Sequence, residues 1–255
     1  MSERVPGLYG RKPAIRPVGL ASIEHYATSL PAAPAVFDHT DDFDGFEMLG
    51  NGPDPTLTVN GGNPVGDCGV VGSVNVELVD SVETDEPFTM PSSDTVVSEY
   101  LRYDQGQDVG VALTQFLTYW QRAGLPWGQI AAWASVNASD PESFWAACNA
   151  FGCLYVGIAV PAPAQEQFAN GEPWDLTGTS ADRQIEGGHC VVVVSRKLGG
   201  GELVTWGKRQ AFTDRWWAAY GEEAHVAITP SQVERHGNGY GLDLASLQAD
   251  LALLT

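Results

Sequence analysis

Four consecutive valines, Val191 to Val194, stand between the pair Gly187-Gly188 and the triplet Gly199-Gly200-Gly201. β-branched side chains pack well on a pleated surface, and an apolar run of this length between glycines reads as a buried strand. The triplet supplies a tight turn, and Glu202–Trp206 follows as the returning strand. Residues 190–206 are therefore expected to form a β-hairpin. The triplet is a turn and not a phosphate cradle, because no helix follows it.

The pattern upstream is helical. Cys68–Asp80 carries apolar residues at 71, 74 and 78, and Ser92-Ser93-Asp94 can cap a helix running to about Tyr103. Asp108–Arg122 reads as a stronger helix, with Val111, Phe116, Tyr119 and Trp120 clustered and Gly124 stopping it. Asp140-Pro141-Glu142 is a good helix start, and Phe144, Ala147, Cys148 and Phe151 supply its stripe before Gly152. Strands are expected at Ile130–Val136, Leu154–Val160 and Ala224–Thr229, helices at Thr213–Tyr220 and Asp243–Leu254, and a Pro- and Gly-rich loop across 161–188. Helices first and a mostly antiparallel sheet after them, without βαβ alternation, is an α+β layout. Residues 1–60 are rich in Pro, Gly and Asp and read as an extended N-terminal arm, with a short helix over Ala21–Leu30; residues 61–255 read as one domain.

With 255 residues and an apolar fraction of 44%, the chain has ample material for a core. A formal net charge of −19 repels phosphate backbones and anionic lipid surfaces, so neither nucleic acid nor membrane is an expected partner. No 18-residue apolar stretch occurs, and the start lacks the apolar centre of a signal peptide, so the expectation is a soluble protein. The four cysteines are too few and scattered for a disulfide framework, and Cys148 and Cys153 are expected as buried small apolar residues. The acidic stretch 38–45 is faintly like a calcium loop but lacks the ligands at both ends, having Thr40 and Asn51 there, and reads as a solvated turn. Glu222 and Glu223 are likewise expected to be solvated. No metal or cofactor is implied. Helical spacing puts most of Trp206, Phe212, Trp216, Trp217 and Tyr220 in the core.

Two residues stand out chemically. Cys68 has glycines close on either side in Gly66-Asp67-Cys68-Gly69 and sits where a turn enters a helix. A helix N-terminus lowers a thiol pKa, and its N–H groups can stabilise an oxyanion. His189 stands where a glycine-rich loop meets a buried strand, placed to take the proton from Cys68 and return it to a leaving group. Asn63 offers a second oxyanion donor through its side-chain amide. The group that orients the imidazole is expected on the next strand, at Thr205 or, if the chain folds back, at Gln210. Cys190 is expected to point to the opposite strand face from His189. The whole reading requires sulfur and imidazole to meet at the mouth of a groove.

Cys, then His, then a polar residue beside Trp is the chain order of papain-like thiol hydrolases. Gly62-Asn63-Pro64-Val65-Gly66-Asp67-Cys68-Gly69, Ile185-Glu186-Gly187-Gly188-His189, and Val204-Thr205-Trp206-Gly207 with Gln210 resemble a branch of the papain-like cysteine peptidase superfamily found in tailed bacteriophages, especially those of actinobacteria. Tyr155-Val156-Gly157-Ile158, Gln167-Phe168, Pro173-Trp174 and the stretch Gly241–Leu251 look like the same group. The resemblance spans about Gly45 to the C-terminus. It implies a papain-like fold and a cysteine peptidase or amidase with Cys68 as nucleophile, His189 as general base and Asn63 and Thr205 in support. It implies a peptide or peptidoglycan-like substrate. Similar proteins are described as virion or minor tail proteins, which implies other virion proteins as partners through the N-terminal arm, synthesis in the host cytoplasm, and as alternative a non-catalytic structural protein. Papain-like enzymes carry Asn or Asp where this chain has Thr205, a residue without charge that orients the ring less firmly.

Overall fold

The structure, a computed structural model, describes residues 9–15, 17–40, 58–59, 63–85, 87–236 and 240–254. Its elements run α1 (Ile23–Tyr26), β1 (Phe37–Asp38), β2 (Thr58–Val59), β3 (Asn63–Pro64), α2 (Cys68–Thr84), α3 (Ser93–Tyr103), α4 (Leu113–Ala123), β4 (Ala132–Val136), α5 (Pro141–Phe151) and β5 (Leu154–Pro161). They continue with α6 (Pro163–Asn170), a 3₁₀ turn (Ser180–Arg183), β6 (Ile185–Lys197), β7 (Gly200–Thr205), β8 (Lys208–Thr213), α7 (Asp214–Tyr220), β9 (Gly221–Ile228), α8 (Pro230–His236) and α9 (Leu244–Ala252).

Capping explains several boundaries. Ser92 Oγ accepts from the Thr95 N–H at the start of α3, Asp140 Oδ1 from Glu142 ahead of Pro141, and Thr213 Oγ1 from Trp216 at α7. Gly152, at φ +77°, lets the chain leave α5 and turn directly into β5. Strands β4 to β9 form one antiparallel sheet in the order β4-β9-β5-β6-β7-β8, with β1 added to β6, and β2 pairs with β3 separately. The valine run lies on β6, where Val192 pairs with Tyr155 on one side and Val204 on the other, all fully or almost fully buried. Helix α2 packs on β5 and β6. It approaches closely because Gly69 and Gly72 present no side chains there: a Cβ on Gly72 would lie 2.7 Å from the Tyr155 ring and 3.2 Å from Cys190 Sγ.

The α+β layout holds, with local differences that have physical causes. The helix expected over Ala21–Leu30 is a single turn, because Ala27 leaves it to bridge Leu242 and the Tyr26 carbonyl accepts from Asp243 instead. Residues 108–112 are extended rather than helical: Gly110 sits at φ +73°, and Val111 pairs with the N-terminal segment. The expected loop 161–188 contains α6 and the start of β6, so His189 lies inside a strand and not where one begins. Strand β8, between the expected hairpin and the expected helix at Thr213–Tyr220, extends the sheet beyond that hairpin. No helix among the described residues is long and apolar enough to cross a membrane.

Candidate active site

Cys68 is the first residue of α2. Helix and sheet meet there, and the backbone N–H of Cys190 on β6 donates to Cys68 Sγ at 3.3 Å. The Tyr155 hydroxyl, reaching from β5, donates to the Gly69 carbonyl at 2.7 Å and pins the first turn of α2 to the sheet. His189, one residue before Cys190, turns its ring toward β7, where Nε2 lies 2.7 Å from Thr205 Oγ1. Its Nδ1 has no hydrogen-bond partner. The Trp206 ring stacks on the imidazole, with centroids 5.1 Å apart and planes within 21°. That placement follows from the β7–β8 turn. Thr205 pairs with Lys208, and the two residues between them, Trp206 and Gly207, both have positive φ (46° and 72°), the requirement of a tight type I′ hairpin. Trp206 thus carries local strain beside the histidine.

Cys68 and His189 line one residual space of about 10 Å³ with Val71, Gly72, Asn75, Cys190, Val204, Thr205 and Trp206. This is room for about one water and for no substrate. Both residues are 1% exposed. The expected groove mouth is absent; the site is closed. The cover is the segment Tyr9–Lys12, a strap that joins the two sides of the site. The Arg11 N–H donates to the Gly188 carbonyl at 3.1 Å on the sheet side; on the helical side Val111 donates to Gly10 at 2.7 Å and Lys12 to Val111 at 2.8 Å. Gly10 passes so close to Gly66 that a Cβ on it would overlap the Gly66 carbonyl. The Tyr9 ring makes an edge contact with His189, at 6.3 Å between centroids.

Burial sets the electrostatics. It pushes the Cys68 thiol up to about 11, although the N–H groups of Cys190 and Gly10 both favour the thiolate. Burial, with a smaller contribution from the Arg11 charge, lowers His189 to about 3. Under the strap the pair is therefore a neutral thiol and a neutral imidazole at pH 7. Asp67, before Cys68, is raised to about 7 by burial and by the nearby Asp108 carboxylate.

Of the other residues singled out in the sequence, Asn63 pairs through its backbone with Val59, and its side chain lies outside the described part of the chain. Gln210 donates to the carbonyls of Glu172 and Ala211 and does not reach the imidazole. Cys190 sends its sulfur toward Gly72 and Tyr155. The acidic stretch from Asp41 on lies outside the described residues, while Asp38 pairs with Lys197 and Arg209. Among the described residues no group of three His, Cys, Asp or Glu is placed to hold a metal ion.

No protein-family model matches the chain, and no curated protein matches it by sequence. Solved structures do. The chain is similar to xylellain, a cysteine protease from Xylella fastidiosa, with a TM-score of 0.65 at 14% identity over 90% of this chain and 98% of that one. The fold is papain-like. Two further structures agree: proCathepsin B S9 from Trypanosoma congolense (TM-score 0.55, 10% identity, 89% of this chain and 87% of that one) and the Amb a 11 cysteine protease of ragweed pollen in its proform (0.56, 10%, 88% and 69%). The papain-like fold brings together Cys68, His189 and Thr205.

Two members of the site escaped the sequence reading. Arg11 was part of an arm without periodicity, and Glu223 was expected in solvent but is 8% exposed and bound to Arg11. The available signal was Glu223 and His225 at i and i+2 of a strand, which puts both on one face.

Proposed function

We propose that this protein is a papain-like cysteine peptidase or amidase held covered by its own strap. One observation carries the reading: Thr205 occupies Nε2 of His189 and leaves Nδ1 unpartnered, while His189 and Cys68 line one small space. A proton on Nε2, given to Thr205 Oγ1, leaves Nδ1 as the bare nitrogen that accepts the thiol proton. The sulfur then attacks a peptide carbonyl carbon. Backbone N–H groups of the first α2 turn, with Asn63 as a second donor, receive the negative oxygen. His189 passes its proton to the departing amine, and water releases the acyl group by the same steps in reverse order.

The strap is not a substrate in place. Gly10 directs its N–H at the sulfur, and in a trans peptide the carbonyl points the opposite way. Two of the similar structures are themselves proforms, which supports a covered precursor here.

Gly10→Ala tests this in the full chain. The new methyl meets backbone, not a side chain that can swing away, so the strap must lift. Iodoacetamide is expected to label Cys68 about tenfold faster or more in the variant, with Cys148 and Cys153 unchanged, and a blocked fluorogenic peptide mixture is expected to be cut. Adding Cys68→Ala abolishes cleavage; adding Thr205→Val lowers kcat on the order of 10²-fold. Labelling of Cys68 at the rate of the two core cysteines in the opened variant, or cleavage that survives Cys68→Ala, defeats the reading.

A second reading is a structural virion protein of phage origin that keeps the fold without turnover, its N-terminal arm lying on neighbouring subunits. The uncharged, sealed Cys–His pair and the neutral Thr205 favour it. Its tests are recovery of the protein in many copies from purified particles and particle assembly unaffected by Cys68→Ala.

A further inference from the structure

The strap is anchored by a side chain as well as by backbone. Arg11 lies across three strands of the sheet, from Gly188 on β6, over Gly157 on β5, to Glu222 and Glu223 on β9. Nη1 donates to Glu223 Oε1 at 2.6 Å, and Nη2 pairs with Glu222. Glu223 also holds His225 through its second oxygen, at 3.1 Å. The walls of the slot are glycines: a Cβ on Gly157 would stand 2.7 Å from Arg11 Cδ, and one on Gly188 would stand 3.2 Å from Arg11 Nε. Any other residue at either position would fill the space the guanidinium stem now takes. Arg11 is 8% exposed, yet its Nε finds no partner. The slot therefore grips the two terminal nitrogens, and its glycine walls enclose the stem.

Position relates this slot to the sulfur. Gly157 pairs with Cys190 on one side and with Glu223 on the other. Glu223 is thus two strands from the residue whose N–H touches Cys68 Sγ, about 10 Å at ordinary strand spacing. An extended peptide lying over the sulfur places a side chain at that distance within one or two residues of the bond to be cut. Glu223 is buried and Glu222 stands exposed at the edge of the slot. Burying a carboxylate beside a cleft is costly unless a cation joins it, and when the strap lifts Arg11 leaves with it.

We propose that Glu222 and Glu223 form the floor of a specificity pocket, that the substrate is a peptide with a basic residue, arginine before lysine, within two residues of the scissile bond, and that Arg11 occupies this pocket as a built-in stand-in. The inference rests on the peptidase reading above. Arginine is favoured over lysine because two carboxylates side by side match the guanidinium fork, and an ammonium makes only point contacts. Glu223 binds and does not take part in bond breaking.

The experiment uses the full chain with Gly10→Ala, which lifts the strap, together with Arg11→Ala, which empties the slot, and pairs of blocked peptides identical except for arginine or its uncharged isostere citrulline at each position in turn. Two readouts are taken. In thermal denaturation, the arginine peptide at saturating concentration is expected to raise Tm by about 2–4 °C and the citrulline peptide not to raise it. In turnover, kcat/KM is expected to favour arginine at one position by about tenfold or more, and Glu222→Gln with Glu223→Gln is expected to erase the preference, so that the arginine and citrulline peptides turn over alike. Equal Tm shifts for the two peptides, or a preference that survives both Gln substitutions, overturns the pocket. Cleavage without discrimination removes the pocket and leaves the peptidase; discrimination in Tm without cleavage of any peptide keeps the pocket and removes the peptidase.

Discussion

At the scale of single residues, the thiol and the imidazole sit between two opposing influences. The helix start and two N–H groups favour a charged sulfur, whereas exclusion of water disfavours any charge, and burial wins for both partners. Asp67 shows the same conflict with a testable sign. Its carboxyl is fully buried, Oδ1 has no partner, and its folded value of about 7 lies above the ordinary carboxylate value. The folded state therefore holds a proton that the unfolded chain has released. This contributes stability below about pH 4 that is lost as pH rises through about 7. Asp67→Asn should leave stability at pH 4 nearly unchanged and raise it at pH 8 on the order of 2–4 kcal/mol. Chemical denaturation at the two pH values checks this, with the contribution of His189 common to both proteins. An equal effect at both pH values shows that Asp67 acts through packing instead.

At the scale of elements, the legible parts were those whose signals are local. Asp140-Pro141 and Ser92 announced their helices because a cap is a matter between near neighbours. The valine run and glycine triplet announced β6 and β7, and Cys68, His189 and Thr205 stood out because glycines, or a Trp-Gly turn, frame them. What failed was set by distant partners. Val111 fits a helical stripe, yet it pairs with Arg11 a hundred positions earlier. Lys208–Thr213 is a strand because β7 is there to receive it, and its mixed polarity gives little sign of this. Glu223 reads as a surface acid until an arginine from the far end of the chain meets it. The helix–sheet junction yields its own prediction. Alanine at Gly72 would gain roughly 0.5–1 kcal/mol of helix propensity, but its methyl would press into the fully buried Tyr155 ring at 2.7 Å. Overpacking of this kind costs about 1–3 kcal/mol and should win. Gly72→Ala is expected to lower the denaturation midpoint, and an increased midpoint would show that the junction has slack.

At the scale of the molecule, the strap is a short segment hydrogen-bonded to both sides of the site. Its amides should behave as a cooperative unit in hydrogen exchange. In the unaltered chain Arg11, Lys12 and Val111 are expected to exchange at one common slow rate. In Gly10→Ala all three should lose protection together while the β6–β7 amides keep theirs. Loss at Arg11 alone would mean that the two halves are held independently.

A crossbeam that also shuts the door has a consequence for the life of the protein. Whatever uncovers the sulfur also removes one tie between the helical half and the sheet and leaves the buried Glu223 without its arginine. The uncovered form is then the more fragile one, able to act and short-lived for the same reason.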